Sequence, residues 1–239
     1  ITFRYEEALR TCDNHSVYKS GAKEIADQHG KSLTFMAKFD QREGNSCHVH
    51  LSLRSAEGAP VFADPAAPHG MSALFRGFLA GVLATLPELT LCYAPNINSY
   101  KRFVGGSFAP TAIAWGLDNR TCALRVLGRG DSMRVECRVP GGDVNPYLAV
   151  AALIAAGLHG IDNDLSLPEP VDGDAYRAGL PRLPTTLGAA MELFAESTVA
   201  RKAFGDEVVE HYLHSARVEL DAFNTAVTDW ERVRGFERF

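Results

Sequence analysis

Cys47-His48-Val49-His50-Leu51-Ser52-Leu53-Arg54 alternates side chains in the manner of a strand with one polar face. Successive strand residues point to opposite sides, so His48, His50, Ser52 and Arg54 share one face. Cys47, Val49, Leu51 and Leu53 share the other. Arg134-Val135-Glu136-Cys137-Arg138-Val139 repeats the pattern, with Arg134, Glu136 and Arg138 set against Val135, Cys137 and Val139. If the two polar faces meet in one cavity, they bring imidazole, carboxylate and guanidinium together. That set suits a divalent cation and a polyphosphate.

Working outward, Ile1 to Tyr5 reads as an opening strand, and Glu6 to His29 as a helix with an irregularity near Asp13-Asn14. Gly30 ends that helix, and Lys31 to Phe39 alternates like a further strand. Met71 to Leu86 is a long apolar helix. Pro95 to Pro110 is polar, contains glycine, and is long for a connection, which marks it as a site-forming loop. Three short strands are expected at Thr111–Gly116, Cys122–Leu127 and Met133–Val139. Asn145-Pro146 then supplies an N-cap and a first-turn proline for a helix running to Leu158. The stretch from Asp162 to Thr186 is rich in proline and glycine, and is expected to be irregular. Beyond it the tail is helical, with Val208, Val209, Tyr212, Leu213, Ala216, Leu220 and Phe223 on one face. Strands and helices mix without βαβ alternation, so the expected class is α+β.

The 239 residues carry a net charge of −5, which gives no footprint for nucleic acid or an anionic membrane. The longest apolar run, Tyr147 to Leu158, is too short to span a bilayer. Five cysteines, widely spaced and without a CxxC pair, fit buried thiols in a reducing cytoplasm. The chain opens on Ile1 inside strand-like sequence, which suggests a piece of something longer.

Between Pro95 and Arg138 stand Arg102, Arg120, Arg125, Arg129, Arg134 and Arg138, together with Lys101. Several lie in short apolar strands, where an unpaired guanidinium is costly to bury. A bound polyanion removes that cost, because the guanidinium fork matches phosphate and carboxylate oxygens. No GxxxxGK[ST] or GxGxxG loop is present, so a nucleotide would be held by side chains and metal. Zinc is disfavoured, since His48 and His50 lack a nearby third ligand; Mg²⁺ or Mn²⁺ fits better.

Four blocks resemble the catalytic domain of the glutamine synthetase family, in its order and near its spacing. They are Gly44 to Ser52, Asn98 to Arg102, Asp118-Asn119-Arg120 to Arg125, and Arg134 to Arg138 followed by Asn145-Pro146-Tyr147. The resemblance runs over essentially the whole chain. It implies a curved antiparallel sheet lined by site residues and packed by helices. It also implies ATP-dependent ligation of the γ-carboxylate of glutamate to an amine through a γ-glutamyl phosphate.

On that resemblance His48 and Glu136 would ligate a Mg²⁺ or Mn²⁺ ion, while His50, Ser52, Arg125 and Arg134 would contact ATP. Arg120 would steady the transferring phosphoryl group, and Gly44, Arg102 and Arg138 would hold glutamate. Residues 1–239 would be the carboxy-terminal part of the catalytic domain, with the family's amino-terminal β-grasp domain and several metal-binding glutamates absent. The implied parent is a cytoplasmic homo-oligomer acting on small molecules, with neither nucleic acid nor membrane as partner.

Two positions depart from the family pattern. The ammonia-using members carry a glutamate in the loop after the Arg102-type arginine, where this chain has Phe108. Where they carry Asn before the substrate-binding glycine, this chain has Glu43. A phenyl ring can neither bind ammonium by charge nor take its proton, so the expected acceptor is a polyamine, ethanolamine or similar organic amine. An ordinary ammonia-using enzyme and a catalytically impaired member with a binding or assembly role remain the alternatives.

Overall fold

The computed structural model describes residues 1–238. Its order is α1 (Ala8–Gln28), β1 (Val49–Leu51), α2 (Ala73–Thr85), α3 (Thr90–Tyr93), α4 (Ile97–Tyr100), β2 (Trp115–Leu117), β3 (Leu124–Leu127) and β4 (Arg134–Cys137). Then follow α5 (Pro146–Asp162), α6 (Leu187–Glu196), α7 (Thr198–Phe204), α8 (Asp206–Thr225) and α9 (Asp229–Arg238). The class is α+β, as expected.

The four strands form one sheet in the order β1-β4-β3-β2. β1 and β3 both run antiparallel to β4, but β2 pairs parallel to β3, so the sheet is mixed. Register places His50 opposite Glu136 and Glu136 opposite Arg125, one polar row across three strands. The reverse face carries Val135, Cys137, Leu124 and Val126, all buried. This apolar face joins the main core with Phe62, Phe75, Phe78 and Phe194.

Helix ends follow local chemistry. The Ser72 hydroxyl accepts from the Phe75 amide at 3.1 Å to cap α2. Asn145 accepts from Tyr147 and Leu148 amides at 3.0 and 3.3 Å, with Pro146 in the first turn of α5. α2 and α5 cross at glycines. A Cβ on Gly81 would stand 2.1 Å from the Ala156 oxygen, and one on Gly160 would stand 2.1 Å from the Gly77 oxygen.

Three expectations need correction. Ile1–Tyr5 forms no strand; Phe3 instead sets its ring edge-on to Tyr18, with centroids 5.4 Å apart. Lys31–Phe39 is not a strand either. The Asn98 amide accepts from Lys38 N at 2.8 Å and donates to Lys38 O at 2.9 Å, so a side chain takes the bonds a neighbouring strand would make. α1 runs unbroken past Asp13-Asn14, and of its apolar residues Cys12 is buried while Leu9, Val17 and Ile25 face outward. Among the described residues no helix is long and apolar enough to cross a membrane.

Candidate active site

Glu136 on β4 is 3 % exposed, and its carboxylate is the meeting point of the polar row. Oε1 lies 3.0 Å from His48 Nδ1, 2.9 Å from Arg138 Nη1 and 3.7 Å from His50 Nε2. Oε2 accepts from Arg125 Nη1 at 3.0 Å. The alternation of the two quoted segments is thus realised in space, and the imidazole of His48 and the carboxylate of Glu136 converge. Burial pushes the Glu136 carboxyl up, but the His48 and Arg125 hydrogen bonds and the Arg138 charge outweigh it and hold it at about 2.

Around this carboxylate the cations are arranged in layers. Arg125 also pairs with Asp118, its Nε donating to Oδ1 at 2.9 Å. Arg134 donates from Nε to His50 Nδ1 at 3.3 Å and from Nη1 to the Ser132 carbonyl at 3.0 Å. Burial lowers the His50 pKa, with Glu136 opposing and Arg134 adding to the shift. Three guanidinium groups face two carboxylates here, so the face is an attractive place for an anion.

His48 Nε2 is buried without a hydrogen-bond partner among the described residues. With Nδ1 against Glu136, that nitrogen presents the kind of donor a divalent cation takes, oriented from behind by a carboxylate. The fit is partial: among the described residues no group of three or more His, Cys, Asp or Glu could hold a metal ion. His48 and Glu136 therefore fit a share of a site.

Arg102 follows α4 and is 2 % exposed. Its Nη1 donates to Ser46 Oγ at 3.2 Å, its Nη2 donates to the Val139 carbonyl, and Nε has no partner. Burial lowers its pKa to about 10, against the raising effect of Asp143. Gly44 is dictated by this side chain, since a Cβ there would meet Arg102 Cγ at 2.4 Å and the Ala37 oxygen at 2.9 Å. Gly44→Ala is expected to displace Arg102 and cost about 1–3 kcal/mol. Urea denaturation checks the loss, and a midpoint within error of wild type would refute it.

The other expected residues are placed less centrally. Ser52 lies just beyond β1 and is exposed. Arg120 is exposed and makes no hydrogen bond or ion pair among the described residues, so it is not joined to the Glu136 cluster. Its neighbour Asn119 is locked instead, donating to the Val171 and Gly173 carbonyls at 3.0 and 2.8 Å. Arg54 is drawn into a local turn, donating to the Gly58 carbonyl at 2.7 Å. Glu43 is exposed.

Other contributors were not singled out by alternation. Asp118 sits on the loop after β2 at φ 49, and only its adjacency to Asn119 and Arg120 hints at its pairing with Arg125. Asp143 accepts from Asn96 Nδ2 at 2.9 Å and Ser99 Oγ at 2.6 Å, which fixes the turn that delivers Arg102. Phe108 is 62 % exposed, with φ 58, and its carbonyl accepts from Arg138 Nη2 at 3.2 Å. All five cysteines are free, and Cys12, Cys92, Cys122 and Cys137 are buried. Burial pushes Cys92 and Cys137 up to about 12.

Known proteins resemble this chain in sequence and in fold. The gamma-glutamylethanolamide synthetase GlnA4 of Streptomyces coelicolor is 65% identical over 238 residues, covering 100% of this chain and 51% of the relative. The glutamate–isopropylamine ligase of a Pseudomonas species is 43% identical over 240 residues, covering 98% and 52%. The solved structure of a GmaS/ADP complex superposes with a TM-score of 0.91 at 33% identity, covering 98% of this chain and 56% of that one. The chain spans about half the length of the curated relatives it matches. The model of the glutamine synthetase catalytic domain matches residues 1–234, and the chain belongs to that family.

Proposed function

We propose that the whole protein is an ATP-dependent ligase that joins the γ-carboxylate of glutamate to an organic amine. One observation carries the choice of acceptor. Arg138 binds Glu136 Oε1 at 2.9 Å and the Phe108 carbonyl at 3.2 Å, so the backbone that carries an exposed phenyl ring is tethered to the polar face. Two relatives named for ethanolamide and isopropylamine products support the same class.

In this reading Arg134, Arg125, His50 and Ser52 hold the nucleotide, for which the ADP bound by the GmaS relative is supporting. Arg102, Gly44 and Arg138 hold glutamate, whose carboxylates match guanidinium forks. A γ-carboxylate oxygen attacks the terminal phosphorus of ATP, ADP leaves, and Arg120 neutralises charge on the moving phosphoryl group. The amine then attacks the γ-glutamyl phosphate, and phosphate departs with the carboxylate oxygen. His48 and Glu136 would help hold a Mg²⁺ or Mn²⁺ ion, which would supply charge neutralisation at the phosphates.

Glutamate, ATP and an amine are the proposed partners, and the charge of −5 supports small molecules over nucleic acid. The buried free cysteines support a reducing cytoplasm, and a homo-oligomer is the proposed assembly. A polar cluster retained for assembly alone would carry desolvation cost without return, which favours the catalytic reading.

ADP release by the whole protein, with glutamate and either ammonium or small organic amines, tests this. An organic amine is expected to be the best acceptor; ammonium proving best would refute the reading. Phe108→Glu is expected to shift preference toward ammonium by about 10- to 100-fold, the range an apolar contact controls. An unchanged ratio of kcat/KM values would show that Phe108 does not select the acceptor.

A further inference from the structure

The ring of Phe108 stands at the end of a loop whose two halves are held very differently. Gly105 and Gly106 are exposed, and nothing lies within 4 Å of where their Cβ atoms would be. Ser107 ties back within the loop itself, to the Val104 carbonyl through its amide at 3.2 Å and its hydroxyl at 2.6 Å, with the Arg102 carbonyl 3.5 Å from the same hydroxyl. From residue 108 onward each step is fastened. Arg138 Nη2 donates to the Phe108 carbonyl at 3.2 Å, and the Tyr176 hydroxyl donates to the Ala109 carbonyl at 2.9 Å. The Leu183 amide then binds the Thr111 carbonyl at 3.1 Å, and the Ile113 amide binds the Pro181 carbonyl at 2.8 Å.

Phe108 itself has φ 58, a left-handed conformation that a bulky residue adopts only where its surroundings hold it there. The two adjacent carbonyl bonds, at residues 108 and 109, are those surroundings. They differ in kind. Arg138 belongs to the Glu136 cluster, whereas Tyr176 reaches in from outside it, on the single turn Ala175–Arg177.

That turn is a rigid base. The Asp174 side chain accepts from the Tyr176 amide at 3.0 Å, and Thr121 Oγ1 accepts from the Ala175 amide at 2.9 Å. Ala175 is buried in a small cluster with Ala112, Ala114 and Cys122. The hydroxyl of Tyr176 is thus fixed relative to the sheet, and the loop conforms to it.

We propose that Tyr176 is a positioning residue for the acceptor amine: through the Ala109 carbonyl its hydroxyl sets where the Phe108 ring stands, and so the room left for the carbon end of a small organic primary amine. This rests on the organic-amine reading above and deepens it. The Tyr176 hydroxyl bonds the Ala109 carbonyl and no residue assigned to glutamate or nucleotide, so its direct effect falls on the acceptor side.

Tyr176→Phe removes one hydroxyl and keeps the ring, so it tests the bond with little threat to folding. In the whole protein, the KM for the organic amine is expected to rise about fivefold, the order expected for one lost neutral hydrogen bond. The KM values for glutamate and ATP, and kcat/KM with ammonium, are expected to stay within about twofold, since ammonium has no carbon end to pack on the ring. An unchanged amine KM, or glutamate and ATP values rising by the same factor, would overturn the acceptor role.

Hydrogen exchange reads the clamp without turnover. Peptides covering residues 104–110 are expected to exchange several-fold faster in Tyr176→Phe, with those covering 124–137 unchanged. Equal exchange in the two proteins would overturn the clamp. Ammonium proving the best wild-type acceptor would remove the organic-amine reading and the acceptor role with it, while the exchange result decides the clamp separately.

Discussion

Glu136→Ala is expected to cost about 3–5 kcal/mol of stability, among the largest effects of any single side chain in the site. The reason is asymmetry. Arg138 and Glu136 each have only 4% of their side-chain surface exposed, and Arg125 has 12%. Removing the carboxylate leaves the Arg138 guanidinium and the His48 ring with no anion between them, and Arg125 with the exposed Asp118 alone. The attraction between Arg138 and Glu136 need not be worth so much, because both partners were stripped of water to make it. What costs is the uncompensated charge left behind.

Glu136→Gln keeps shape and one acceptor and is expected to lose less. Because the folded carboxyl is held at about 2, below its ordinary value of 4.5, its contribution is full above pH 4.5 and fades as the pH falls toward 2. Urea denaturation at neutral pH measures the Ala variant directly. A loss under about 1 kcal/mol would mean that solvent reaches the cluster and screens it.

Gly81→Ala is expected to destabilise by about 2–4 kcal/mol, against the direction that helix propensity alone suggests. In an isolated helix the change gains about 1 kcal/mol. Here the new Cβ would meet the Ala156 oxygen at 2.1 Å, Gly160 N at 2.5 Å and Gly160 Cα at 2.6 Å. All three are backbone atoms of α5 and cannot rotate away, so the helices must separate and the Phe78 ring lose its seat on Gly157. Gly77→Ala, one turn earlier, is the internal control. Its Cβ would find Ile161 Cα at 3.5 Å, an ordinary contact, so the variant is expected to be neutral or up to about 1 kcal/mol more stable. Thermal melts of the pair decide the matter; equal shifts would mean that the close crossing is not what holds these helices.

The polar row could be read in the sequence because period-two alternation survives even in strands of three or four residues. His48, Glu136 and Arg138 declared themselves in this way. What alternation cannot give is register, and the placing of Arg125 directly across from Glu136 depends on the β3–β4 pairing. Lys31–Phe39 alternates as well, yet Asn98 takes its backbone bonds, a contact sixty residues away that no local pattern encodes. The parallel pairing of β2 with β3 was hidden for a similar reason, since a six-residue connection usually announces an antiparallel turn. Asp118, Asp143 and Tyr176 act from loops, where residue type carries little positional signal. Nothing local marks Gly81 or Gly160 as the place where two helices touch, because the contact is set by the partner's backbone.

The central claim is that glutamate is activated as an acyl phosphate before the amine attacks, and oxygen transfer tests it most directly. The whole protein is given glutamate labelled with ¹⁸O in the γ-carboxylate, MgATP and its best amine, and the released phosphate is weighed by mass spectrometry. One labelled oxygen per phosphate is the predicted result. Phosphate free of label, with ADP formed at the same rate, would mean that ATP is hydrolysed without ever passing its phosphoryl group to glutamate.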